Sequence, residues 1–239
     1  MRYYALFGIA LGLALARQHH VIPLAGVVVL AGMINAAPAL SAKMSWHERV
    51  QLIWRNVVGV FRSGITTIIT FRIVNPYAFV GPTFFHMIPS MRWLADAQQS
   101  SNNVSGVVDI PPNWQWVNRA SYLMPLKDML LWGMGITAGA MAWVGFAWSG
   151  VRLARAREFA TRNLLIFVWV LVYFAWIGGL WVMTMRYYLP LYSGLAVLAG
   201  WALYETIRQQ KDQMERVMLA AFGAVLAIIP AYALYNGIA

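Results

Sequence analysis

The sequence predicts an all-α integral membrane protein with about seven transmembrane helices, within bounds of six to eight. Three observations carry this. First, 61% of the 239 residues are hydrophobic and 11% are charged. A soluble domain holds about 45–50% apolar and about 25% charged residues. Second, apolar runs recur at roughly the 20-residue length of a bilayer-crossing helix. Third, lysine and arginine collect in alternate connectors, as they do on the inner side of a membrane. This composition excludes a disordered chain and an ordinary soluble enzyme. Cysteine is absent, which excludes disulfides, thiolate metal sites and cysteine nucleophiles.

The first apolar run, 3–16, ends at Arg17-Gln18-His19-His20, and the second, 21–40, follows at once. They read as two helices joined by a polar turn rather than as a signal peptide, because no small-x-small cleavage site precedes a polar mature sequence. Residues 41–55 are amphipathic. Ser45 and Glu48 have capping-box spacing, which places a helix start at Trp46. A third span covers about 56–74 and contains Arg62, with Arg72 at its edge. Residues 75–127 form one long outer loop between spans three and four. Six prolines, from Pro76 to Pro125, forbid a continuous helix there. The expectation is short interfacial helices around 84–97 and an ordered loop, including the polar patch 98–103, after them. Four further spans follow at about 129–149, 164–185, 187–204 and 217–237. No internal repeat is visible, so the chain reads as a single membrane domain over 1–239.

Charge placement sets the orientation. The net charge is +10. Arg2 and the connectors 41–55, 151–163 and 205–216 hold most of the basic residues, whereas the short connectors on the other side hold Arg17 and Arg186. This predicts the N-terminus inside and the C-terminus outside, in the plasma membrane of a bacterium. No basic run is interleaved with aromatics on a soluble face, so the expected partners are membrane lipids and other integral-membrane subunits, with no nucleic acid.

Candidate chemistry is sparse. Glu48, Glu158, Glu205, Asp212 and Glu215 lie in inner connectors beside basic residues and read as surface ion-pair partners. Asp128 precedes an apolar run and reads as a cap on span four. Asp109, before Ile-Pro-Pro, is the one weak catalytic candidate, and no second carboxylate pairs with it. His19, His20, His47 and His86 have no metal-ligand spacing and none lies mid-span, so no metal or cofactor of its own is expected. Arg62, Arg119 and Arg186 are candidates for a lipid phosphate, because a guanidinium binds phosphate through a bidentate fork. Gly133, Gly135, Ala138, Gly139 and Ala140 are small enough to let helices approach closely. Asn103-Val-Ser105 is a glycosylation triplet on the predicted outer side.

Three segments resemble the later membrane half of family 39 glycosyltransferases, the polyprenol-phosphate-sugar transferases of the GT-C class. They are RIVNPYAF (72–79), DIPPNWQWVNRASYLMPLKDMLLWGMG (109–135) and MRYYLPLYSGLAVLAGWALYE (185–205). GIALGLALARQHHVIPLAGVVVLAG (8–32) is similar to that family's Gly-Leu-Ala-rich helix pair. The resemblance implies a lipid-binding membrane scaffold. Family members are typically much longer, and their catalytic acidic residues lie on a first outer loop with no counterpart in this sequence. Arg17-Gln18-His19-His20 replaces a common lysine, and Ser193 stands where a proline is common. The expectation is therefore a non-catalytic, glycosyltransferase-like accessory or structural subunit of a larger membrane complex, such as an electron-transfer complex. The alternative is part of a split or truncated lipid-linked sugar transferase.

Overall fold

The structure is a computed structural model. It describes residues 1–40, 44–81, 83–108, 111–155, 157–209 and 212–235. Every regular element among them is helical, apart from an isolated bridge between Phe79 and Pro89. In chain order the α-helices are α1 Arg2–Arg17, α2 Leu24–Ala36, α3 Trp46–Val74, α4 Met91–Ser105, α5 Leu123–Asp128, α6 Ile136–Arg155, α7 Arg157–Ile177, α8 Leu189–Gln209 and α9 Gln213–Tyr235. Each of the seven apolar runs carries one of the helices α1, α2, α3 and α6 to α9. By length and composition, α3 is the one helix among the described residues that is long and apolar enough to cross a membrane. The chain divides into two compact units, Met1–Val108 and Asp109–Ala239.

In the first unit α1 lies on α3 with almost no side chain between them. A Cβ at Gly8 would collide with the Thr66 hydroxyl and the Ser63 carbonyl, and one at Gly12 would stand 2.7 Å from Thr67 O. Gly59 of α3 makes the reciprocal gap, filled by the Tyr4 ring. Small residues four apart thus bring two backbones together, as in membrane helix pairs. Thr66 and Thr67 return their hydroxyls to the Ser63 carbonyl, at 3.0 and 2.8 Å, so these two donors are satisfied within α3. The Tyr4 hydroxyl donates to Asn56 Oδ1 at 2.9 Å, and Asn56 Nδ2 donates to Leu52 O. The start of α3 is the expected capping box, with Glu48 N donating to Ser45 Oγ and Ser45 N donating to Glu48 Oε2. The amphipathic stretch and the apolar span form one helix of 29 residues, since nothing at the junction breaks it.

In the second unit a stripe of small residues on α6, Gly139, Ala142, Gly145 and Ser149, is buried. It receives Leu198 of α8, and a Cβ at Gly145 would be 2.6 Å from the Leu198 carbonyl. Tyr173, Ile177, Tyr188, Leu191 and Leu195 fill the space between α7 and α8 and are almost completely buried. Of the small residues expected to mediate packing, Gly133 and Gly139 do so: a Cβ at Gly133 would collide with the Tyr192 hydroxyl, and one at Gly139 would lie 3.0 Å from Leu130 Cα. Gly135 instead takes φ +78 to break the chain before α6, and Ala140 is exposed.

Several boundaries differ from expectation. The 98–103 patch is helical, because α4 starts at Met91 and continues until Gly106 adopts φ +82. Asp128 makes no capping bond. It ends α5 and runs straight into a π turn, Met129–Gly133, so the apolar helix begins at Ile136 rather than near 129. Span five ends early, at Ile177, because Gly178 and Gly179 leave the helix where the Tyr122 ring packs against them. The expected connector 151–163 is largely helix, with α6 reaching Arg155 and α7 starting at Arg157.

Candidate functional site

Of the phosphate-binding candidates, Arg62 lies in the first unit, midway along α3, with an exposed side chain. Its carbonyl accepts the Thr66 hydroxyl at 3.0 Å. An arginine on the outer face of an apolar helix reaches polar atoms by extending along its aliphatic stem.

Arg72, in the last turn of α3, is the buried cation among the described residues of this unit, at 4% exposure. Its Nη2 donates to Thr83 O at 2.7 Å, Nη1 to Pro76 O at 3.1 Å and Nε to Phe84 O at 3.3 Å. The Phe79 ring stands 5.1 Å from its guanidinium carbon. A guanidinium carries five N–H donors in a fixed fork. Three of its bonds go to carbonyls just beyond the negative end of a helix dipole, where a cation is favoured. Arg72 therefore folds segment 76–90 back onto α3. It is a structural clamp, and those bonds leave little of the fork for a ligand. The signal in the sequence was an arginine at a span edge followed by a proline-rich turn. Its partners, 4 to 12 residues further on, gave no signal.

Arg119 and Arg186 belong to the second unit and lie on segments tied to the end of α7. Tyr122 N donates to Gly178 O at 2.9 Å, and the Tyr122 hydroxyl donates to Ala175 O at 2.9 Å. Asn118, with φ +59, and Tyr122, with φ +64, turn the chain tightly on either side of Arg119. On the other segment, the Tyr188 hydroxyl donates to Ile177 O and the Tyr173 hydroxyl to Tyr187 O. Arg119 is exposed and bonds Gln115 O at 3.5 Å through Nε. Arg186 is exposed, packs over the Tyr187 ring at 5.2 Å and donates to the Tyr187 hydroxyl at 3.4 Å. Each is an exposed guanidinium fork on a segment bonded to α7, and such a fork can receive a phosphate. Asp109 lies outside the described residues.

Several other polar groups are engaged structurally. Glu205 of α8 pairs with Arg152 of α6 at 3.2 Å and with Arg208 at 3.9 Å, and only 13% of its side chain is exposed. It is an inter-helix clip rather than a solvated surface partner. Asp212 Oδ1 accepts from Met214 N at the start of α9. His47 bonds Gln51, His86 bonds Thr83 and His20 bonds Gln18. No group of three metal-ligating side chains occurs among the described residues.

No family model, curated protein or solved structure matches this chain.

Proposed function

We propose that this chain is a non-catalytic, glycosyltransferase-like subunit of a larger integral-membrane complex, of the kind an electron-transfer assembly contains. The supporting observation is where its apolar side chains point. On α3, Ile65, Ile68 and Ile73 face outward at 43–63% exposure, and Val144, Val172 and Val197 do the same in the second unit. Apolar faces turned away from a core suit lipid or neighbouring membrane helices. In this reading the seven long helices are seven spans, and the segment 75–127 lies outside. The basic inner ends put the N-terminus inside, and a bacterial plasma membrane is the site. Glu48, Glu205 and Asp212 each hold structure together, which fits a scaffold role. Affinity purification of the tagged chain from its native membranes tests this. Stoichiometric integral-membrane partners are expected, and a lone monomer would contradict the reading.

A second reading, part of a lipid-linked sugar transferase, is supported by Arg119 and Arg186 sharing one end of α7. It predicts turnover of polyprenol-phosphate sugars when membrane extract supplies the rest of the enzyme, and a loss of turnover in Arg186→Gln. No turnover with extract counts against it.

A further inference from the structure

Between α2 and α3 runs an open groove of about 420 Å³. Val29, Met33 and Ala36 line it from one side, and Val57, Val60 and Phe61 from the other. Its one polar side chain, Asn56, already bonds the Tyr4 hydroxyl and Leu52 O, so the groove offers a ligand almost pure hydrocarbon. Gly32 sets its floor, where a Cβ would lie 3.0 Å from Val60 Cγ2 and the two helices touch. The volume holds about fourteen groups of water or methylene size, which is the scale of one acyl chain.

One turn beyond the lining residues, the same stripe of α3 carries an arginine. Arg49 is four residues before Ile53 and seven before Asn56, on the stripe of α3 that lines the groove. Its Nε donates to Met44 O at 3.0 Å, which holds the side chain at the N-terminal end. The Tyr4–Asn56 bond brings the start of α1, with Arg2, beside this part of α3. An apolar groove continued by Arg49 on the same helical stripe matches an amphiphile with an anionic head, and the inner leaflet supplies such lipids.

We infer that this groove holds one acyl chain of an anionic glycerophospholipid, with the phosphate at the Arg49 guanidinium. This rests on the membrane reading proposed above. The test uses the full chain reconstituted in vesicles with phosphatidylglycerol that carries a photoreactive diazirine in one acyl chain, alongside its phosphatidylcholine counterpart. The expected cross-links map to Met33, Val57 and Phe61, with about fivefold preference for phosphatidylglycerol. Arg49→Gln removes the preference and keeps the cross-links. Ala36→Phe fills the groove and removes most of the labelling, and Val57→Phe does the same from the facing wall, while each variant stays in the membrane after an alkaline wash. Labelling spread evenly over outward residues such as Ile65 and Ile73, or unchanged in both filling variants, overturns the groove assignment alone. Release of the unsubstituted chain by the alkaline wash overturns the membrane reading and the groove with it.

Discussion

The two units hold together by different means. In the first, α1 and α3 meet backbone to backbone at Gly8, Gly12, Gly59 and Ser63, and the described apolar residues that are fully shielded are small or few: Leu11, Val21, Val28, Ala39 and Ala78. Of its buried polar residues, Asn56 and Arg72 bond through their side chains, and the Ser63 carbonyl accepts two threonine hydroxyls. In the second, large side chains fill the interior. Tyr173 and Trp169 pack ring to ring at 4.5 Å, and Trp143 meets Phe174 at 5.0 Å. Tyrosine hydroxyls then tie the loops to carbonyls of α7. A seam of small residues brings helices close but leaves their flanks uncovered. An aromatic layer fills the interior of the second unit, while apolar side chains such as Val144, Val172 and Val197 still face outward there. The open groove between α2 and α3 lies beside the small-residue seam of the first unit.

This contrast can be broken by substitution, and the largest effect is expected at the small-residue seam. Gly8→Val drives two methyls into the Ser63 backbone and should destabilise the first unit by about 3 kcal/mol or more. Gly64→Ala, on the same α3 but facing open space, should be neutral or stabilising by up to about 1 kcal/mol. Thermal melting in detergent, followed by limited proteolysis to show which unit opens, distinguishes the two. Equal losses in both variants would show that the seam does not depend on the space at Gly8.

Next in size is the clamp at the end of α3. Arg72→Leu leaves three carbonyls without their donor and should cost about 3 kcal/mol, localised to segment 76–90. The readout is faster proteolysis there with the cleavage pattern of 109–239 unchanged. In the second unit, Tyr188→Phe removes the bond to Ile177 O but keeps the ring, so about 1 kcal/mol is expected. Smallest is Glu205→Gln, at under about 1 kcal/mol, with an effect that shrinks as salt is added, because Arg152 is partly exposed. A salt-independent loss there would mean the pair acts by packing alone.

The positions of the seven long helices and the capping box at Ser45 and Glu48 were legible in the sequence, because apolar run length and N-cap spacing are local signals. The helix over 91–105 was legible only in its first half, within the helices expected around 84–97, since the glutamines, serines and asparagines of 98–103 read as loop while continuing an exposed helix. The end of α7 was hidden because Gly178-Gly179 can continue or leave a helix, and the ring of Tyr122, 56 residues earlier, decides it. The Gly8–Gly12 spacing was visible as a motif, but its partner face on α3 was not. Of the candidate site, the arginines were identifiable as residue types. Their division between the two units, and the commitment of Arg72 to three carbonyls, depend on contacts that run across loops.

The account stands on the long helices crossing a bilayer, and the absence of cysteine makes this directly measurable. Single cysteines at Ser100, on the exposed polar side of α4, and at Gln209, at the end of α8, can be labelled with a membrane-impermeant maleimide in intact cells. The account predicts labelling of Ser100→Cys from outside and of Gln209→Cys only after permeabilisation. Labelling of both positions from the same side, or recovery of the chain in the soluble fraction, would contradict it.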